Sequence, residues 1–178
     1  IVLIDPLTCD LSPLKDLFQS ESISVFHAAQ QDLDVLTHAV GAVPKHIYDT
    51  QLAAGFLGYS TPSLVSLLQA ELRVTAAKGD RLTDWLRRPL SASQLHYAAD
   101  DVRHLHALHR TLCERLDAQQ RMAWLQEDCA RMLINATQDE GERWPHLGMR
   151  SAQFLDRDGQ IRLLRLLRWR DTYAREHD

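Results

Sequence analysis

Tyr97 and Asp101 stand four residues apart in the stretch LHYAADDV, 95–102, a spacing that stacks two side chains one turn apart on a single helical face. An aspartate so placed can bind a divalent cation directly, and a phenol one turn away can hydrogen-bond to an attacking water and orient it. Y-x-x-x-D alone is unspecific: a surface tyrosine beside a solvated aspartate satisfies it equally well. Asp32, in HAAQQDLDVL, is the next candidate. It falls in the first turns of a helix directly after an apolar, strand-like run, and α/β sheets collect ligands beyond the carboxyl ends of their strands. The dipole at a helix N-terminus also favours a carboxylate at Asp32, and at Asp34, without any ligand. Asp49 reads most simply as the cap of the helix that follows it, and His27 as the end of a strand.

These residues need elements to position them, and the apolar pattern supplies an alternating series. IVLI (1–4) and ISVF (23–26) have the apolar character of strands covered on both faces, and HIY (46–48) is expected as a third short strand. Between and after them, helices are expected from Ser12-Pro13, from about Gln30 through Leu33, Leu36 and Val40 to a stop at Gly41, and from the Asp49-Thr50 cap. A fourth starts at Thr61-Pro62 and carries Leu64, Leu67, Leu68 and Leu72. From there the chain reads as helices only. Ser91 and Gln94 form an S-x-x-Q capping box, opening a helix whose Leu95, Ala98, Ala99, Val102, Leu105 and Leu112 trace one buried stripe to about residue 116. Another helix spans about 118–135, a polar linker follows, and the chain closes on an amphipathic helix with Leu163, Leu166, Leu167 and Trp169 on one face.

Composition narrows the function. With 178 residues and 45% hydrophobic content the chain can bury a real core. A net charge of −4 excludes a uniformly basic nucleic-acid coat and leaves room for a local basic face. Such a face is expected in RVTAAKGDRLTDWLRRPL, 73–90, where Arg73, Lys78, Arg81, Arg87 and Arg88 could follow a phosphate backbone and Trp85 could stack on a base. The competing reading is a solvated loop pinned to the core by Trp85 and Leu86. Cys9, Cys113 and Cys129 are odd in number and widely spaced, which suggests reduced thiols and a cytosolic setting. No apolar run is long enough for a membrane span, and no signal peptide is visible. His106 and His109 have a zinc-compatible i,i+3 spacing with no third ligand placed to complete a site.

FHAAQQDLDVL, YDTQLAAGFLG, LTDWLRRPLSASQLHYAADDVRHL and LLRLLRWRDTYAREHD, in this order and spacing, resemble bacterial ribonuclease D. That family belongs to the tyrosine-using branch of the DEDD exonucleases and carries a C-terminal HRDC domain. The resemblance covers nearly the whole chain. It implies an α/β, ribonuclease-H-like exonuclease domain over 1–135 with a sheet incomplete at its N-terminus, a linker over 136–150, and the start of an all-α HRDC-like domain over 151–178. It further implies hydrolysis of RNA from the 3′ end with two Mg²⁺ or Mn²⁺ ions held about 3.5–4 Å apart by four carboxylates. In that scheme Asp32 and Asp101 hold metal and Tyr97 orients water. The implied substrates are single-stranded 3′ tails of structured RNAs such as tRNA precursors, although nothing in the sequence reads a 2′-hydroxyl.

One part of the family pattern has no counterpart. The D-x-E motif, source of the other two carboxylates, is expected upstream of Ile1, because the resemblance places IVLIDPL at a later strand. Two carboxylates where four are needed would make a poor catalyst. A non-catalytic nucleic-acid-binding module and a DNA 3′-5′ exonuclease are the alternatives.

Overall fold

The structure, a computed structural model, describes residues 1–75, 82–137 and 144–177. The chain forms two compact units, Ile1–Ala136 and Thr137–Asp178.

In the first unit a short helix α1 (Leu14–Phe18) leads to strand β1 (Ile23–Phe26), and helix α2 (Gln30–Ala39) crosses to strand β2 (His46–Asp49). The strands pair in parallel, Ile23 opposite His46 through Phe26 opposite Asp49, which brings both carboxyl ends to one edge. Helices α3 (Thr50–Phe56), α4 (Leu64–Leu72), α5 (Ala92–Arg103), α6 (Leu105–Ala118) and α7 (Met122–Thr137) complete the unit. Leu108, Leu112 and Leu116 recur every four residues along α6 and are fully buried, as that spacing requires of one apolar face. They pack with Leu33, Leu67, Leu68, Ala53, Ala54 and Leu125 into one core, and α6 touches α3, α4, α5 and β1.

Several elements differ from the sequence expectation. Ile1–Ile4 is not a strand, and its four side chains are exposed. A strand needs a neighbour for its backbone groups, and among the described residues β1 and β2 pair only with each other. The expected single helix from Ser91 to about 116 is two, because the N–H of His104 turns to the carbonyl of Val102 instead of continuing the i→i−4 ladder. Leu108 N–H then bonds to His104 C=O, starting α6 afresh. The stripe drawn across that break fails accordingly: Leu95 and Val102 are 41% and 48% exposed. The helix expected over 118–135 starts at Met122, after Gln120 takes a left-handed turn with φ +55° and Arg121 N–H closes back on Leu116 C=O. Helix α4 is capped by Ser63 rather than opened by Thr61-Pro62.

In the second unit, 3₁₀ turns at Pro145–Gly148 and Arg150–Phe154 precede helix α8 (Arg157–His177). The stretch from Pro145 that the sequence suggested was linker is therefore ordered. Asp156 accepts the Gly159 N–H at 2.8 Å, and Leu167 of α8 is buried together with Ala152 and His146. The Arg168 guanidinium lies 6.0 Å from the centre of the Trp144 ring. No helix among the described residues is long and apolar enough to cross a membrane.

Candidate active site

The carboxyl ends of β1 and β2 are tied together by one side chain. Asp49, only 1% exposed, ends β2 and caps α3 as its sequence position suggests, its Oδ1 accepting the N–H groups of Gln51 at 2.7 Å and Leu52 at 3.3 Å. The same carboxylate also accepts Ala28 N–H on Oδ1 at 3.1 Å and Ala29 N–H on Oδ2 at 2.8 Å. Helix α2 has no side-chain cap of its own, so Asp49 serves the starts of two helices. Ala28 adopts φ +62°, a left-handed conformation that costs an L-residue about 1–2 kcal/mol. Its bond to the carboxylate offsets that strain.

His27, immediately after β1, is equally engaged. Its Nε2–H donates to the Pro62 carbonyl at 3.1 Å, which also accepts from the Gln51 side chain. Its Nδ1 lies 2.9 Å from the Thr50 hydroxyl. Burial lowers the imidazole pKa below its ordinary value, against the opposing pull of Asp49's charge and the Pro62 carbonyl. Both His27 and Asp49 are thus part of the frame that sets the β1–α2 turn.

That turn carries Asp32 in the first turn of α2. Although Asp32 reaches solvent, its carboxyl pKa is raised, first by desolvation among the neighbouring atoms and then by the negative charge of Asp49. The helix dipole favours the anion here, and these two effects oppose it. A cation at this carboxylate would relieve the repulsion.

Tyr97 and Asp101 stand on α5, whose start is fixed by the capping box expected from the sequence: Ser91 Oγ accepts Gln94 N–H at 3.2 Å and Gln94 Oε1 accepts Ser91 N–H at 2.9 Å. Tyr97 is partly buried and Asp101 is exposed. Trp85 meets Tyr97 with ring centres 5.8 Å apart and planes inclined at 49°. Arg87 is exposed beside it. Of the other expected phosphate contacts, Arg73 is exposed at the C-terminal cap of α4, and Lys78 and Arg81 lie outside the described residues.

Arg88, expected to contact phosphate, is paired within the protein. Its Nε and Nη2 donate to the two oxygens of Asp5, each at 2.6 Å, and its Nη1 donates to the Trp85 carbonyl at 2.6 Å. The paired Arg88 holds the Asp5 carboxyl down at about 2, and a fork so occupied is geometrically committed. Sequence reading also missed the second role of Gln94. Its buried side chain donates from Nε2 to Thr83 Oγ1 at 2.9 Å and to the Asp84 carbonyl at 3.0 Å. The capping-box spacing flagged this residue, but its free amide donors carried no sequence signal.

The oxygen donors Asp32 and Asp101 suit a hard divalent cation in kind. They fall short in number: among the described residues no group of three or more His, Cys, Asp or Glu side chains could hold a metal ion.

A family model described as 3′-5′ exonuclease matches residues 1–117. Ribonuclease D of Xanthomonas oryzae pv. oryzae is 47% identical over 181 residues, a match covering 100% of this chain and 50% of that protein. The chain therefore spans about half the length of the curated relatives it matches. Escherichia coli RNase D, described as an exoribonuclease involved in structured RNA processing, superimposes with a TM-score of 0.82 at 30% identity, covering 98% of this chain and 47% of that one. Brucella melitensis NrnC bound to pGG matches at 29% identity with a TM-score of 0.67, covering 75% of this chain and 65% of that one. Its Mg²⁺-bound form matches at 29% and 0.64, covering 71% and 62%.

Proposed function

Because the chain belongs to the 3′-5′ exonuclease family, we propose that it forms part of a divalent-metal-dependent 3′-5′ exoribonuclease of the ribonuclease D type. The observation that carries this reading is the pair Tyr97 and Asp101, one turn apart on the firmly capped α5, to which the reading adds Asp32 in the first turn of α2, the helix that follows β1.

In this reading Asp32 and Asp101 hold metal, as part of a set that serves two ions. A divalent cation, when bound, lowers the pKa of a water and neutralises charge on the phosphate. The Tyr97 phenol accepts or donates a hydrogen bond to hold the attacking water in line. Trp85, half-buried with an edge to solvent, offers a stacking surface for a base, and the exposed Arg87 offers a phosphate contact; Lys78 and Arg81 belong to the same proposed track. The substrate is RNA with a single-stranded 3′ end, for which the pGG carried by NrnC is a chemical precedent. The unit from Thr137 begins an HRDC-like helical domain, and the enzyme works in the cytosol.

The test is divalent-dependent shortening of a 3′-tailed RNA by the full-length protein, against Asp101→Asn. A fall of more than about 100-fold in kcat is expected for loss of a group acting in the transition state; undiminished digestion refutes the assignment. A DNA oligonucleotide of the same sequence separates RNA from DNA preference. A second reading, a nucleic-acid-binding module without catalysis, draws on the lack of a three-ligand group among the described residues. It predicts binding of the RNA unaffected by Asp101→Asn and no hydrolysis by either protein.

A further inference from the structure

Residues 82–90 form an irregular segment ahead of α5, yet it is fastened on both sides of Trp85. On one side the buried amide of Gln94 holds Thr83 and the Asp84 carbonyl. On the other, the Arg88 guanidinium bonds to the Trp85 carbonyl and, in a two-pronged pair, to Asp5, a residue 83 positions earlier. Asp5 is itself set in a turn, its Oδ1 accepting Leu7 N–H at 3.1 Å and its carbonyl accepting the N–H groups of Thr8 and Cys9. The indole held between these fastenings is the ring that contacts Tyr97.

We infer that Asp5 and Arg88 are positioning residues: their ion pair, acting with Gln94, fixes Trp85 against Tyr97 and so sets the orientation of the phenol. The inference rests on the reading of Tyr97 as the group that orients water. The pair joins the turn at Asp5 to the segment before α5, and that segment meets α5 both through the Trp85–Tyr97 contact and through the Gln94 amide. Arg is required rather than Lys, because only the planar fork can hold both Asp5 oxygens while a third nitrogen reaches the Trp85 carbonyl. A phosphate-binding Arg88 would have no need of Asp5.

That contrast supplies the experiment. In full-length protein acting on a 3′-tailed RNA, Asp5→Ala, Arg88→Ala and Arg88→Lys should each lower kcat by about 10- to 100-fold, the scale of a small misplacement of a reacting group, with KM little changed. The double variant Asp5→Ala/Arg88→Ala should be no worse than either single change, since both remove one device. In protein labelled with 5-fluorotryptophan, the Trp85 resonance, assigned by its loss in Trp85→Phe, should shift in each variant while thermal unfolding stays cooperative. Asp5→Ala with the kcat of the unmodified protein, or an Arg88→Ala effect confined to KM, overturns the inference. So does an unmoved Trp85 resonance. An unmodified protein that digests no RNA with any divalent ion would instead remove the functional reading beneath it, while the fluorine spectra still report whether the pair holds Trp85.

Discussion

Replacing Asp49 tests the frame of the site through stability alone. Three of its four bonds fall on Oδ1, from Ala28, Gln51 and Leu52, and one on Oδ2, from Ala29. Asp49→Ala removes a helix cap, worth about 1 kcal/mol. It also strands the N–H of Ala29, a residue 0% exposed, at about 1–3 kcal/mol, while at the exposed Ala28 water can replace the lost acceptor. The sum is roughly 2–4 kcal/mol, a large share of the roughly 5–15 kcal/mol that holds a domain folded. Asp49→Asn separates the two oxygens. An amide oxygen in the Oδ1 position keeps three acceptances, while the NH₂ group faces the Ala29 N–H, donor against donor, at a cost of about 1–3 kcal/mol. Relief of the repulsion on Asp32 partly offsets either loss. Urea unfolding without divalent ions, followed by far-UV circular dichroism, measures both. The order should be unmodified, Asn, then Ala. If Asp49→Ala costs less than about 1 kcal/mol, or the two variants are equal, the four-bond frame does not stabilise the fold as its geometry requires.

His27 and His109 both have folded pKa values below the ordinary 6.5, each chiefly through desolvation. The unfolded chain then binds more protons between the two values, so stability is full above about pH 6.5 and is lost as pH falls through the folded values. Urea midpoints from pH 5 to pH 8 should show this decline, and His27→Gln should flatten it; an unchanged slope would show that His27 does not contribute. Asp32 has the opposite sign, its carboxyl pKa being raised, so its ionisation above that value works against folding. Without divalent ions at pH 7, Asp32→Asn should be as stable as the unmodified protein or more so by a few tenths of a kcal/mol, about the scale of an exposed charge pair, while the full-length variant loses metal-dependent hydrolysis. A clear loss of metal-free stability would mean that Asp32 is a structural cap.

Local features were legible in the residues themselves. The capping box of Ser91 and Gln94, the Asp49 cap of α3, the β1-α2-β2 order and the helical i,i+4 placement of Tyr97 and Asp101 all depend on neighbours within a turn or across one strand, so residue type and spacing suffice to specify them. The break at His104 was not legible, because one backbone hydrogen bond redirects a helix without changing its apolar period. For the same reason Leu95 and Val102 looked buried and are exposed. Two decisions that matter most for the site join distant segments: Asp49 accepting the N–H groups of Ala28 and Ala29 across the two strand ends, and Arg88 pairing with Asp5. A charge pattern shows that a guanidinium needs an anion and a carboxylate needs donors. Which of the many available partners each one meets is settled only when the core packs and brings two remote stretches of backbone within about 3 Å of each other.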